Sequence, residues 1–482
     1  MGWQWNEERA AGVILHISSL PGSAGIGNFG ETAYRFIDFL SSAGMHYWQV
    51  CPLGPTGYGD SPYQPIASFA LNPYFIDYEA IGTAPPVSSN AAVVNFCGWY
   101  QWLQEQIPFF GTTLYERIRK KETFQSFLKH HHYWLENYAK FAALKYHFNG
   151  QEWHQWDPIF WNKSCALPES LTSVFNGYLA LQYTAHEQWF RLKKYANDHQ
   201  VQIIGDLPMF PGYDSADVWA NPQNFQLNRQ RCPQYVAGVP PDYFSSTGQL
   251  WGNPVYDWAF LKSDHYRWWH QRLERNFELF DIVRLDHFRG LDRFWKIPAN
   301  ASDAIRGNWA KAHGTEVLRP FLNQPMIAED LGDIDASAAQ LKAKFRLPGM
   351  SVLQFAFSGD PKNHYLPHNL ERHNVLYLGT HDNDTLLGWY QHCDEATRDQ
   401  VRQYFGIDDT QLTWKWVTEA YRAPCFLAML SVQDLLKLSS EARLNTPGTI
   451  GRNWQWRMTP EQFDQLIALT PELRTYQQRY DR

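Results

Sequence analysis

Eight short apolar runs, each separated from the next by a stretch with helical spacing, constrain the fold of this chain more than any other feature. They are residues 12–17 (G-V-I-L-H-I), 45–50, 201–206 (V-Q-I-I-G-D), 282–285 (I-V-R-L), 325–329 (P-M-I-A-E), 352–357 (V-L-Q-F-A-F), 375–379 (V-L-Y-L-G) and 426–431 (F-L-A-M-L-S). Short, nearly continuous apolar runs read as strands covered on both faces, and strand–helix–strand order pairs such strands in parallel. Eight units of this kind predict an α/β fold, a TIM (β/α)8 barrel, with an open doubly wound sheet as the alternative. The first crossover helix is expected to be capped by Asn28, with Glu31 three residues on, and to end at Gly44.

The chain of 482 residues reads as a single decorated barrel over 1–482, with insertions after the second and third strands. Residues 74–180 read as a mostly helical insertion, with helical stretches at 98–107, 113–121 and 131–148, and the barrel pattern resumes after a helix at 185–199. Residues 209–261 read as a loop-rich insertion over the site, carrying V-P-P-D-Y-F-S and G-Q-L-W-G-N-P. The proline- and glycine-rich loop 51–64 displays Tyr58, Asp60, Ser61 and Tyr63, and loops of this length are commonly functional. Near the carboxyl end, Thr459-Pro460-Glu461-Gln462 carries a capping box with proline at the first helical position.

Several function classes are disfavoured. A net charge of -7 gives no electrostatic reason for a nucleic-acid or anionic-membrane partner. The six cysteines are dispersed without a C-x-x-C pair, which points to reduced thiols and away from zinc. The amino terminus lacks an apolar signal core and no stretch approaches a membrane span, so a cytoplasmic protein is expected, and no obligate protein partner is implied. His130, His131 and His132 are consecutive on a helical stretch and point in different directions, which suits a solvated face rather than a metal site. Gly25, Gly27 and Gly30 match G-x-G-x-x-G, yet the motif begins about seven residues after its strand, and Val50-Cys51-Pro52 stands where a ribose-binding acid belongs; nicotinamide binding is disfavoured. Among 22 Trp, 26 Tyr and 30 Phe, the Trp number exceeds what a core requires, and indole and phenol faces suit flat ligands such as sugar rings or bases, with cores and apolar helix faces accounting for about half.

Three carboxylates follow the ends of three of the strands: Asp286 after the fourth, Glu329 at the end of the fifth, Asp382 after the seventh. In a barrel of parallel strands, chemistry sits at the carboxyl ends. Arg284 lies two residues before Asp286, on the same strand face, and His381 precedes Asp382. A cation beside Asp286 favours its ionised form, although a purely structural Arg284–Asp286 pair has the same pattern. Two carboxyls in one pocket are what cleavage of a glycosidic bond requires. Three could instead hold Mg²⁺ or Ca²⁺, but no phosphate-cradling loop accompanies them.

Taken together, G-V-I-L-H-I-S-S-L-P-G, G-I-G-N-F-G, P-T-G-Y-G-D-S-P-Y-Q, P-P-D-Y-F-S, L-W-G-N-P, R-L-D-H-F-R-G, A-E-D-L-G, G-T-H-D-N-D-T and N-T-P-G-T resemble, in order from about residue 10 to 457, the 4-alpha-glucanotransferases of glycoside hydrolase family 77, also called amylomaltases or disproportionating enzymes. The resemblance implies a barrel with inserted subdomains and a retaining transfer of alpha-1,4-glucan segments from a donor glucan to the 4-hydroxyl of an acceptor, without metal or organic cofactor. It implies Asp286 as nucleophile, Glu329 as acid/base and Asp382 as the carboxylate that grips sugar hydroxyls, supported by Arg284 and His381. It places Tyr63, Ser61, Trp251, Gln249 and Asp242 along the sugar path, with Asn445 and Tyr58 nearby. One departure is visible: after F-A-F, where many relatives carry an acid, Ser358 stands here, with Asp360 two positions on. An alpha-amylase-type hydrolase and a non-catalytic glucan-binding protein remain the competing expectations.

Overall fold

The computed structural model describes residues 8–86, 92–241, 245–332 and 334–482, leaving the side chains of Tyr58 and Thr410 outside the description. Its strands are β1 (Ala10–Ile14), β2 (Tyr47–Gln49), β3 (Gln202–Leu207), β4 (Tyr235–Val239), β5 (Gln249–Pro254), β6 (Ile282–Leu285), β7 (Arg293–Pro298), β8 (Asn308–Lys311), β9 (Met326–Ala328), β10 (Gly349–Val352), β11 (Asn374–Tyr377) and β12 (Leu427–Ser431). Eight of them form one sheet in the order β10-β11-β12-β1-β2-β3-β6-β9, and every pair in it is parallel. The Ala328 N–H donates to the Pro348 carbonyl at 2.9 Å, joining the last strand to the first. The expected (β/α)8 barrel is the observed fold.

Strand alternation sets what fills the barrel. Ala10, Tyr47, Ile204, Ile282, Ile327, Val375, Leu427 and Met429 pack together inside it. Continuing the same parity toward the carboxyl ends places Gln49, Asp206, Arg284, Asp286 and Glu329 on the inner side. The interior therefore changes from apolar to polar along the axis, and the polar end is the mouth.

Several boundaries differ from those expected. The apolar run 352–357 is not the sixth barrel strand, which is β10; the run continues into a helical turn, Leu353–Phe355, with Leu353 and Gln354 buried. A short buried apolar run carries no periodicity that separates the two forms. The first strand ends at Ile14, before the turn Ile17–Ser19. The first crossover helix, Glu31–Ala43, is capped by the backbone of Gly30, while the Asn28 side chain only accepts from Gly30 N–H at 2.9 Å; Gly44 ends the helix in the left-handed region as expected. The helix expected at 185–199 runs over Thr172–Asp198. The capping box at Thr459 and Gln462 is present, with Pro460 opening its helix.

Helices Phe96–Thr112, Leu114–Ile118 and Glu122–His147 lie between β2 and β3. The expected solvated face at residues 130–132 is only partly so: His131 is 2% exposed. Its ligand atoms and those of His130 and Glu278 lie within 4.8 Å of one another. Trp134 donates its indole N–H to His131 Nδ1, so the other nitrogen, Nε2, carries the proton; it faces Glu278 Oε1 at 3.6 Å. Arg275 already donates to Glu278 at 2.7 Å. This hydrogen-bonded cluster joins the helix Glu122–His147 to the helix Arg267–Leu279. Gly30 also argues against a phosphate cradle, since its missing Cβ would lie 2.8 Å from an Asp77 carboxylate oxygen.

A second sheet, in the order β5-β4-β7-β8, is antiparallel and was not foreseen. It combines two strands that precede β6 with two that follow it, so no single stretch of sequence contains it. It sits against the barrel through Phe294, whose ring meets Phe210 at 6.0 Å.

Candidate active site

Two neighbouring strands carry Asp286 and Glu329 to the mouth. The ladder continues one residue past each strand: Asp286 N–H donates to the Leu207 carbonyl at 3.1 Å, and Glu329 N–H to the Leu285 carbonyl at 3.0 Å. His287 then turns into the left-handed region at φ +47°, which aims its N–H at Glu329 Oε2, 2.8 Å away. Leu331 N–H holds the other oxygen at 3.0 Å. A non-glycine residue in that region costs on the order of 1 kcal/mol or more, and such strain concentrates at functional sites.

Arg284 organises the floor. Register pairs it with Asp206 on β3, so their side chains share the inner face. Its Nη1 donates to both Asp206 oxygens at 2.8 and 2.6 Å and to Asp286 Oδ1 at 2.9 Å, and its Nε meets the Met350 sulfur at 3.2 Å. Burial opposes a charged guanidinium here, but Asp206 and Asp286 outweigh it and hold Arg284 protonated. Burial likewise pushes Asp206 up against the pull of Arg284. Glu329 is pushed up to about 7, chiefly by burial, with Arg284 pulling down and Asp286 pushing up. One carboxyl thus carries a proton near neutrality while the other accepts a hydrogen bond from a guanidinium.

The opposite wall hangs on Tyr63. Its hydroxyl donates to Asp206 Oδ2 at 2.7 Å, and its ring stacks on His381 at 4.7 Å and 17°. His381 Nε2 lies 3.4 Å from Asp382 Oδ1, which accepts from the Asn445 amide at 2.6 Å. Polar contacts therefore run without a break from Asp286 through Arg284, Asp206, Tyr63 and His381 to Asp382 and Asn445. Asp382 is the more open of the acids, with 45% of its side chain exposed against 26% for Asp286. Trp251, on β5, sets its ring edge-on to His287 at 4.8 Å, and its indole N–H donates to Gln249 Oε1 at 3.0 Å.

The glycoside hydrolase family 77 model, described as 4-alpha-glucanotransferase, matches residues 15–463. A 4-alpha-glucanotransferase of Synechocystis sp. is 40% identical over 487 residues, covering 96% of each chain, and one of Thermus thermophilus is 41% identical over 477, covering 94% of this chain and 95% of that one. The chain belongs to the 4-alpha-glucanotransferase family. An amylomaltase from Streptococcus agalactiae, solved in complex with acarbose, superposes with a TM-score of 0.93 at 33% identity over 98% of this chain and all of that one.

The structure gathers Asp286, Glu329, Arg284, Asp382, His381, Tyr63 and Asn445 into one connected site, and brings Trp251 to its edge. The Ser61 hydroxyl accepts from Tyr63 N–H and its carbonyl from Gln64 N–H, both at 3.2 Å, shaping the loop. Asp242 lies outside the described residues, as does the side chain of Tyr58. Ser358 accepts from Asn363, and Asp360 from Lys362 N–H, in an exposed turn. Asp206 was missed, although it ends the third apolar run just as the nominated acids end or follow theirs; applying the strand-end rule evenly finds it. Trp454, whose ring lies 5.7 Å from both Tyr63 and His381, carried no sequence signal.

Proposed function

We propose that this family member transfers alpha-1,4-glucan segments with retention, with Asp286 as nucleophile and Glu329 as the acid/base. The observation that carries the reading is the division of labour between two carboxyls on one pair of strands: Glu329 is raised to about 7, while Asp286 accepts from Arg284. Glu329 gives its proton to the bridging oxygen of the donor glucan as Asp286 attacks the anomeric carbon. The shortened glucan leaves, and a covalent glucosyl ester remains on Asp286. Glu329, now ionised, takes the proton of an acceptor's 4-hydroxyl, whose oxygen displaces Asp286 and restores the original configuration. Asp382, braced by Asn445 and His381, grips the hydroxyls of the sugar at the reaction centre, and Tyr63 with Trp251 supplies ring faces for it. A retaining pair requires a carboxyl separation of about 5 to 5.5 Å.

Transfer beats hydrolysis only where water is excluded or misaligned beside the ester. The loop 51–64 and residues 239–254, of which 242–244 lie outside the described residues, are the proposed cover. Among the described residues no helix is long and apolar enough to cross a membrane, and the six cysteines are unpaired, which fits the reducing cytoplasm. Incubation with maltotriose alone tests the reading. Glucose together with oligomers longer than the substrate is the expected result, and steady shortening without longer products would mean a hydrolase.

A further inference from the structure

The conspicuous stretch G-V-I-L-H-I-S-S-L-P-G takes no part in the chemistry above, yet its histidine lies behind the site. His16 is 4% exposed and sets its ring edge-on to Phe75 at 5.3 Å. Its Nδ1 is sealed and has no partner. Burial and the neighbouring His381 lower its pKa to about 3, so the ring is neutral and owns one N–H. Orphaned buried N–H groups are rarer than under-used acceptors, which puts the proton on Nε2 and leaves the bare lone pair at sealed Nδ1. His16 lines a cavity of about 30 Å³ whose wall includes Cys51, Thr380, His381, Asp384, Asp434 and Arg443. With His16 just past β1, those residues lie just past β2, in the loop presenting His381 and Asp382, in the helical turn after β12, and in the segment that leads to Asn445.

We infer that His16 is a positioning residue whose Nε2–H holds an ordered water in this cavity, tying β1 to the loop that carries His381 and Asp382. The wall selects the occupant. A cation faces the imidazole N–H and Arg443, an anion faces the Asp384 and Asp434 carboxylates, and a hexose ring does not fit. A neutral molecule that both accepts and donates does, and the volume suits one or two waters. The same loop is also held by Tyr63, through His381 Nδ1 at 3.3 Å, and by Arg443, which lines the cavity and donates to the Asp382 carbonyl at 2.7 Å. Loosening the His16 anchor therefore misplaces groups that hold the sugar most tightly at the transition state, which lowers kcat more than it raises KM.

The functional half of this inference rests on the proposed transferase reading, and the structural half does not. A crystal structure that resolves waters should show one within about 3.2 Å of His16 Nε2. His16→Phe keeps the ring against Phe75 but loses the donor, and should lower kcat for maltotriose disproportionation about tenfold with KM nearly unchanged. His16→Gln retains an N–H donor and should recover most of that loss. Thermal midpoints of both variants separate misfolding from mispositioning. No water at Nε2, a folded Phe variant with wild-type kcat, or equal losses in folded Phe and Gln variants would each overturn the inference. Failure of the wild-type protein to lengthen maltotriose would instead overturn the transferase reading and leave the water to be judged by density alone.

Discussion

His287 N–H donates to Glu329 Oε2 at 2.8 Å, so the residue that follows the proposed nucleophile holds the proposed acid. The bond depends on a φ of +47° at His287. Proline at this position lacks the donor and cannot reach that φ, so His287→Pro should cut kcat by at least about a hundredfold. Glycine keeps the donor and adopts the conformation freely, and His287→Gly should retain far more activity than the proline variant. Steady-state rates on maltotriose check this, and a fully active proline variant would show that the bond is dispensable.

As the proposed acid, Glu329, raised to about 7, must be protonated for its first step. Its protonated fraction is high below that pH and falls about tenfold per unit above it, so kcat/KM should have an alkaline limb centred near 7. The measurement is kcat/KM for maltotriose from pH 5 to 9. A flat profile through pH 8.5 would remove Glu329 from the acid role.

Asp206 is buried and accepts twice from Arg284, which is itself buried. Asp206→Asn leaves the guanidinium with Asp286 alone for a charged partner. Breaking such a buried pair costs about 3 to 5 kcal/mol, so a clear drop in thermal midpoint is expected along with lost activity. A variant as stable as the parent would mean that Asp286 alone suffices for Arg284.

Tyr63 offers a ring to His381 and a hydroxyl to Asp206. Tyr63→Phe loses the hydroxyl's hydrogen bonds to Asp206 and to His381 Nδ1, about 0.5 to 1.5 kcal/mol each, and should lower kcat/KM by about tenfold or more. Tyr63→Ala also removes the stacked face and should cost considerably more. Equal kcat/KM values for the two variants would assign the whole effect to the hydroxyl.

The barrel was legible because its strands are buried on both faces and so read as bare apolar runs, and because strand ends mark the mouth. That logic nominated Asp286, Glu329 and Asp382 from one sequence. It failed at residues 352–357, where burial hides periodicity, and at the antiparallel sheet, whose strands come from both sides of β6 and pair only in three dimensions. The histidines at 130–132 were judged from helical spacing alone. Which of them turns inward depends on Glu278, Arg275 and Trp134, two of which belong to a helix more than a hundred residues away. Trp454 entered the site by tertiary placement, which no local pattern announces.

Trapping the proposed covalent ester on Asp286 tests the mechanism most directly. Glu329→Gln should still accept a glycosyl unit from an alpha-maltosyl fluoride, whose leaving group needs no proton, but should release it slowly because the base is gone. Mass spectrometry of the digested protein should then find maltosyl on the peptide that contains Asp286. A label on Asp382 or another residue, or fluoride release that yields beta-configured maltose without any adduct, would contradict it.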